Sequence, residues 1–363
     1  MDRKATLILC AVVAFMAFFL LLAQPVMMDD GFQYEGFTES LARGKLDFAS
    51  FYGFQGLSFF AVPIYWLTNS PISIIITSMI FCILSIPLAY GIGKWPAVIL
   101  FLLTPYPYMT MMRGFQEAAL MFFVLLVIYA AKRKKPWAGL AWGAGAIVKP
   151  FALVLAPLFL RRSMKKFEIW CLVLGACVGI AYMVLNYAQT GHVVTLAATG
   201  AYAGVFDPGN VPALEKSFTL DWRTWARVGA NLFVSSRKIM TAPALIIIGA
   251  WSLWQTRRET WSRRVIAALL LNILMVGPIT YAFPKYLLPM AVLFGLAATP
   301  ILRKRPLLWV IVLFDSAWVF AANYSYFGKA FWHPSVFAWM PFLLASVLCV
   351  YEIANHYSHA QRA

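Results

Sequence analysis

The sequence predicts an all-α polytopic membrane protein that forms a single transmembrane domain over residues 1–363. Hydrophobic residues make up 62% of the chain and charged residues only 12%, whereas an average soluble domain has roughly 45–50% and about 25%. The mean hydropathy of +0.75 indicates that most segments favour hydrocarbon over water. These values exclude a soluble enzyme, a disordered chain and a disulfide scaffold.

The apolar runs define the expected membrane segments. The first run, residues 5–23, is predicted to be an uncleaved span because no small-x-small cleavage site follows it. Residues 136–160 lie between two basic clusters and are too short for two crossings, which need about 40 residues. We therefore predict a hairpin of two short helices, broken at Lys149-Pro150 with Lys149 at its tip. Further runs lie at 71–91, 95–111, 117–131, 168–187, 240–255, 264–283, 285–302, 306–323 and 335–354.

The charges predict the orientation of about 12 such membrane segments. The formal net charge is +16, and most Lys and Arg residues fall in loops that alternate with acidic ones. This pattern is typical of cytoplasmic loops that retain positive charge, and it predicts cytoplasmic termini in a bacterial inner membrane and no nucleic-acid partner. The Cys residues lie within apolar runs without a CxxC pair, so we expect core packing and not metal ligation.

Two stretches are too polar to span and are predicted to lie outside, with a cavity between them. They are residues 25–70 and 188–239. Asp29 and Asp30 directly follow the first span, and residues 32–43 can form an amphipathic helix in the membrane interface. Its expected membrane-facing and solvent-facing positions are, respectively, Phe32, Phe37 and Leu41, and Glu35, Glu39 and Arg43.

The first loop and two later segments carry motifs that resemble the GT-C glycosyltransferases, which take a sugar from a polyprenyl-phosphate carrier. In the loop these are Asp29-Asp30, Tyr34, Leu41-Ala42-Arg43-Gly44 and Pro63-Ile64-Tyr65. Residues 139–150 are similar to the GlxxGxxxxxKP segment of polyprenol-phosphate-mannose-dependent members. Residues 283–289 are similar to a late motif that often contains Arg-Tyr, and here Lys285-Tyr286 stands in its place, giving a point charge and not a bidentate fork.

The resemblance implies an inverting transferase that moves a sugar from the carrier to a lipid or glycan acceptor on the outer face. Such a transfer needs a base for the acceptor hydroxyl and cations for the departing phosphate. Asp29 and Asp30 are the candidate bases. We favour Asp29 and expect Asp30 to cap a helix that begins near Phe32. The candidate phosphate-binding residues are Lys149, Arg113 and Lys285.

Each candidate has a structural alternative. Lys149 can be a lysine whose stem packs while its charge reaches the interface, and Arg113 can pair with Glu117 at i,i+4. Further candidates for the site are Tyr34, Glu117, His192, His333 and Tyr286. We predict no cofactor and no metal, because the single acidic pair lacks a supporting carboxylate at a metal-ligand spacing.

Two alternative functions are consistent with parts of the sequence. Asp315 lies in the middle of an apolar run, where acids often serve transport, and this favours a transporter or flippase of lipid-linked sugars. A hydrogen bond from Asp315 to a neighbouring helix is the structural interpretation. A transferase similar to O-antigen ligases would use Arg and His in a late outer loop, and it leaves Asp29-Asp30 without a role.

Overall fold

The computed structural model describes residues 3–22, 27, 30–51, 53–104, 114–161, 163–193, 219–226, 243–279 and 284–323. Within these ranges the regular elements are helices joined by short loops, which agrees with the predicted all-α class. In chain order the α-helices are α1 (Arg3–Leu22), α2 (Asp30–Ala42), α3 (Gly56–Thr68), α4 (Ser73–Leu102), α5 (Glu117–Lys132), α6 (Ala138–Val148), α7 (Ala156–Phe159), α8 (Lys166–Thr190), α9 (Pro243–Gln255), α10 (Thr260–Val276), α11 (Leu288–Lys304) and α12 (Leu308–Asn323).

Two of the described helices, α4 and α8, are long and apolar enough to cross a membrane by length and composition. In α4 the backbone kinks at Lys94, which has φ 60° and ψ −154°. Pro96 follows in the first turn of the second part, where its missing N–H costs no helical hydrogen bond. The kink separates the two apolar runs that we predicted as successive segments. The total of about 12 segments and their sidedness stay predictions.

The predicted hairpin is present, and its break is at the predicted position. Helix α6 ends at Val148, Lys149 is extended (φ −152°, ψ 131°), and a 3₁₀-helix at Pro150–Leu155 leads into α7. Helix α6 packs closely against α8: a Cβ atom on Gly143 would lie 2.2 Å from the carbonyl oxygen of Gly175. Glycines at this crossing allow the two backbones to touch, as is typical of helix pairs in membranes.

Helix α8 has one packed face and one exposed apolar face. Its inner side holds Gly175 and Tyr182 against the rest of the bundle, while large apolar side chains such as Phe167, Trp170 and Leu174 are exposed. Exposed apolar surface of this extent is unfavourable in water, whereas contact with lipid chains is favourable. Helix α8 therefore has the character of a helix at the lipid-facing edge of the bundle.

Helix α2 forms where a helix was predicted, but its buried face differs from the prediction. Phe37 is fully buried and Leu41 packs beside it, whereas Phe32 is exposed. Phe32 and Phe37 are five residues apart and so point about 140° apart around a helix, which is why they cannot share one face. The buried stripe follows the i, i+3, i+4, i+7 spacing through Tyr34, Phe37, Thr38 and Leu41.

Asp315 makes a bond between helices, as its structural interpretation predicted. Its Oδ2 accepts a hydrogen bond of 2.8 Å from the backbone N–H of Ala244. This N–H belongs to the first turn of α9, which has no helical acceptor of its own. Asp315 on α12 therefore caps α9 and links the two helices.

Candidate active site at the hairpin tip

The start of α2 lies directly against the turn that precedes α5. Gly114, in that turn, has φ +78°, and a Cβ atom placed on it would lie 3.2 Å from the Cα of Gly31. Only glycine combines this left-handed backbone with so close an approach. Asp30 is the first residue of α2, two residues earlier than expected, so it lies in the first turn. The approach at Gly114 brings this acidic helix start beside the N-terminus of α5.

Glu117 opens α5 and forms a buried ion pair with the hairpin tip. Its Oε1 lies 2.5 Å from the Nζ of Lys149, and the two residues are 0% and 2% exposed. An isolated charge in this environment costs several kcal/mol, roughly, so each charge here requires its partner. The N-terminal end of α5 also favours a carboxylate through the helix dipole. The pair fixes the hairpin break to the start of α5.

This pair corrects one geometric expectation. The structural alternative for Lys149 placed its charge at the interface, but the ammonium is enclosed by protein and bound to Glu117. The i,i+4 pair between Arg113 and Glu117 stays a prediction, because Arg113 lies outside the described residues. The correction arises because Lys149 and Glu117 are 32 residues apart, a separation that helical spacing cannot reveal.

Tyr34 connects α2 to α3 and α5. Its hydroxyl accepts a hydrogen bond of 3.0 Å from the side-chain amide of Gln116. Its backbone carbonyl accepts bonds from the hydroxyls of Ser58, at 2.8 Å, and Thr38, at 2.6 Å. Tyr34, a predicted site residue, therefore contacts the residue that precedes α5, and Gln116 is a contact that the sequence did not single out.

Two acceptors next to the ion pair are buried and make no hydrogen bond within the described part of the chain. They are Oε1 of Gln116 and Oε2 of Glu117. Buried polar atoms are satisfied in more than about 90% of cases, and these two exceptions lie on adjacent residues at the ion pair. Both atoms can accept a hydrogen bond from a hydroxyl group.

An aromatic cluster holds the first loop onto α8. Phe37 and Phe48 have ring centroids 5.2 Å apart, and Tyr182 of α8 lies 5.2 Å from Phe48 in an edge-to-face contact. The hydroxyl of Tyr182 accepts a 2.7 Å bond from the backbone N–H of Gln55. The amide of Gln189 accepts from the N–H of Phe48 at 2.7 Å and donates to the carbonyl of Leu46 at 2.8 Å. Tyr182 and Gln189 were not predicted, because only tertiary contact relates them to the loop.

The far side of the hairpin meets the late motif. The ring of Phe151, two residues after Lys149, stacks on Tyr286 with centroids 4.3 Å apart. Lys285 precedes it within the 3₁₀-helix Pro284–Leu287. On the near side, a Cβ on Gly56 would lie 2.1 Å from the carbonyl oxygen of Ile147. The start of α3 and the late motif therefore flank the tip of the hairpin.

The acids of the first loop differ in their electrostatic surroundings. Burial raises the pKa of Glu35 on α2, and the neighbouring Glu39 carboxylate raises it further. Asp47, in contrast, accepts a hydrogen bond from the Ser50 hydroxyl, which holds its pKa below the ordinary value. Glu35 was predicted to face solvent, and its partial burial on the packed helix is a difference from that prediction.

The remaining candidates are only partly accounted for. His192 follows the last turn of α8, where its backbone N–H donates to the Thr190 hydroxyl at 3.1 Å, beside the aromatic cluster. Asp29, Arg113 and His333 lie outside the described residues, as does most of the loop 188–239, and so the predicted outer cavity does too. Among the residues that the structure covers, no group of three His, Cys, Asp or Glu side chains could hold a metal ion.

Comparison with known proteins identifies the family and the fold. The model of glycosyltransferase family 87 matches residues 57–278, which is more than half of the chain. No match is found among curated proteins.

The structure is similar to the crystal structure of ArnT from Cupriavidus metallidurans bound to undecaprenyl phosphate, with a TM-score of 0.52 and 14% identity. The alignment covers 87% of this chain and 63% of the ArnT chain, so this chain spans less than two thirds of that protein. At this identity the likeness concerns the fold, which agrees with the GT-C resemblance of the first loop. The chain belongs to glycosyltransferase family 87.

Proposed function

We propose that this protein transfers a sugar, with inversion, from a polyprenyl-phosphate carrier to a lipid or glycan acceptor on the outer face of the membrane. Family membership supports the transfer of a sugar. The likeness to a fold that holds undecaprenyl phosphate in ArnT supports a polyprenyl-phosphate-linked donor. The observation that carries the proposal is the convergence of the start of α2, the Lys149–Glu117 pair and Tyr34 at one point.

In the proposed reaction the acceptor oxygen attacks the anomeric carbon of the donor. The bond from that carbon to the phosphate oxygen breaks, and the polyprenyl phosphate leaves with the electron pair. Asp29 takes the proton of the acceptor hydroxyl. We assign Asp30, in the first turn of α2, a structural role: a carboxylate there interacts favourably with the positive end of the helix dipole. A single displacement without a covalent intermediate inverts the anomeric centre.

Cations next to the site receive the growing charge of the phosphate. We assign this role to Arg113 and Lys285. Lys149 adds a second, weaker contribution from inside the protein, where Glu117 neutralises its charge. Oε1 of Gln116 and Oε2 of Glu117 are the acceptors that a sugar or acceptor hydroxyl can satisfy. His192 and His333 are assigned to the acceptor side, and the reaction needs no metal.

The test is transfer by the purified protein in detergent, with polyprenyl-phosphate sugars as donors. Asp29→Asn keeps the size of the side chain but removes the proton acceptor, so the rate should fall by roughly 10²–10⁴-fold while donor binding persists. Asp30→Asn should cost less. A matched control is Glu39→Gln, which removes an exposed carboxylate of α2 that pairs with Arg43, and it should leave the rate unchanged.

Four outcomes would contradict this scheme or a part of it. Full activity in both aspartate variants would exclude acid–base chemistry at this pair, and a larger loss in Asp30→Asn would reverse the assignment within it. Loss of activity on chelation would contradict metal independence. A transporter would instead leave every donor intact in detergent and move it across sealed vesicles. That alternative is weakened because Asp315, its main support, caps α9.

A further inference from the structure

A cavity of about 440 Å³ lies at the opposite end of the hairpin from Lys149. It is enclosed by the turn between α5 and α6, the segment before α8 and the first turn of α10. Helix α6 separates it from the hairpin tip by 11 residues, or roughly 16 Å. The cavity is therefore distinct from the candidate active site. The residues used in the argument are Lys134, Lys135, Arg161, Glu168, Trp261 and Arg264.

The lining of this cavity, called the basic cavity below, has more cationic than acidic side chains. Four of its lining residues are cationic, and Glu168 is the acid among them. Glu168 is already bound by Arg161 and by the backbone N–H of Lys165. Arg264 is half-buried and donates through Nη1 to the carbonyl of Leu158 at 3.2 Å, which orients its guanidinium. Neither Lys134 nor Lys135 has a side-chain hydrogen bond or ion pair within the described residues.

The backbone at Lys134 adopts a conformation that a glycine would adopt at lower cost. Its φ is +51°, and the N–H of Lys135 donates to the carbonyl of Ala130 at 2.8 Å to close the end of α5. Helices commonly end in this way with glycine, because a side chain is strained there. A lysine at this position places an additional ammonium at the cavity in spite of the strain.

The cavity opens beside the lipid-facing surface of α8. Glu168 belongs to the first turn of that helix, and its neighbours Phe167 and Trp170 are exposed apolar residues. The charge pattern of the sequence predicts that this end is cytoplasmic. A lipid that packs its chains along α8 therefore has its headgroup at the level of the basic cavity.

We propose that the basic cavity binds the phosphate of an anionic phospholipid of the cytoplasmic leaflet. Cations that surround a pocket between membrane helices match the charge of such headgroups, and the guanidinium groups of Arg161 and Arg264 suit phosphate oxygens in particular. The indole of Trp261 lies at the same level, where aromatic residues favour the interface. The site is independent of the sugar donor and of the catalytic aspartates.

The test compares lipid binding by delipidated protein in detergent. Phosphatidylglycerol and phosphatidylcholine with the same acyl chains are titrated, and binding is followed by the shift in Tm and by native mass spectrometry. Wild type should bind phosphatidylglycerol selectively. Lys135→Gln and Arg264→Gln should each weaken this binding by roughly tenfold, the effect of one charge-assisted hydrogen bond. Arg263→Gln is the matched control, because this neighbour of Arg264 is exposed and does not line the cavity.

Lys134→Gly separates binding from folding. Glycine relieves the positive φ, so this variant should have a higher Tm than wild type without lipid, yet a smaller shift when phosphatidylglycerol is added. Unchanged phosphatidylglycerol binding in both Lys134→Gly and Lys135→Gln would overturn the proposal. Inorganic phosphate is titrated in parallel. If phosphate alone reproduces the full Tm shift that the variants lose, the assignment to a lipid headgroup is wrong. Transfer activity, measured alongside, tests the active site separately.

Discussion

The two ends of the helical hairpin hold charge in opposite ways. At its tip, Lys149 and Glu117 are enclosed and bound to each other; at its base, Lys134 and Lys135 are exposed beside a cavity with an excess of cations. A charge inside the bundle requires an oppositely charged neighbour, because the free energy lost on removing the ion from water is offset only by a partner. A cation at the interface stays hydrated and can accept an external anion. The ion pair at the tip therefore fixes the hairpin break against α5, whereas the cations at the base are available to bind an external anion.

The largest effect is expected at the tip, for Lys149→Met. This substitution leaves the Glu117 carboxylate buried without its partner, and stability should fall by about 3–5 kcal/mol. A lysine whose charge reached the interface would lose little stability on this change, whereas the buried pair makes the expected loss large. Thermal or denaturant unfolding in detergent measures the loss, and transfer activity should fall with it.

A paired substitution separates charge from packing at this position. The double variant Lys149→Met with Glu117→Gln removes both charges, so it should recover most of the stability that the single variant loses. If Lys149→Met alone unfolds like wild type, the ion pair has no structural role and the comparison between the ends fails.

The second effect concerns the contact between α3 and the tip. In Gly56→Ala the new Cβ meets the Ile147 carbonyl oxygen at 2.1 Å, and backbone cannot yield as a flexible side chain does. We expect a loss of about 1–3 kcal/mol, visible as a lower Tm and a lower rate. Gly179→Ala is the control, because its nearest neighbour, the Cβ of Ala146, is 4.0 Å away, and it should be nearly neutral.

A smaller effect is expected for Tyr34→Phe. The substitution removes the hydroxyl that accepts from Gln116, while the ring and the backbone bonds to Ser58 and Thr38 remain. The loss should be about 1 kcal/mol in unfolding experiments. A loss as large as that of Lys149→Met would mean that the hydrogen-bond network, and not the ion pair, holds the tip together.

At the base of the hairpin, removal of a cation should barely change stability. Lys135 is exposed and makes no ion pair with any described residue, so Lys135→Gln in lipid-free detergent should shift the unfolding free energy by no more than about 0.5 kcal/mol. A loss above that of Tyr34→Phe would show that this charge is structural, and the contrast with the tip would disappear.

The smallest effect is a pH dependence at Asp47, in the exposed part of the first loop. Its pKa is lowered mainly by the Ser50 hydroxyl, so its stabilising contribution is present above the ordinary pKa and is lost as pH falls through the lowered one. Wild type should exceed Asp47→Asn in Tm near neutral pH, and the difference should shrink below about pH 4. A difference that grows on acidification contradicts this sign.

Local patterns in the sequence determined the class, the hairpin and the family resemblance. Composition alone excludes a soluble fold, and the short apolar stretch between two basic clusters requires a break, which the structure has at Lys149. Tyr34 was identified by its place in a motif, and its hydroxyl contacts Gln116 directly before α5. These features follow from composition, spacing and length, all of which act between residues that are close in the chain.

Tertiary structure alone decided which groups meet. Glu117 and Lys149 are 32 residues apart, and Tyr182 lies 127 residues from Gln55, so no periodicity connects them. The buried face of α2 was also decided by its neighbours, since Phe37 found an aromatic cluster and Phe32 did not. Sequence shows that a charge is present in an apolar segment, but the energy of that charge depends on the partner that folding brings to it.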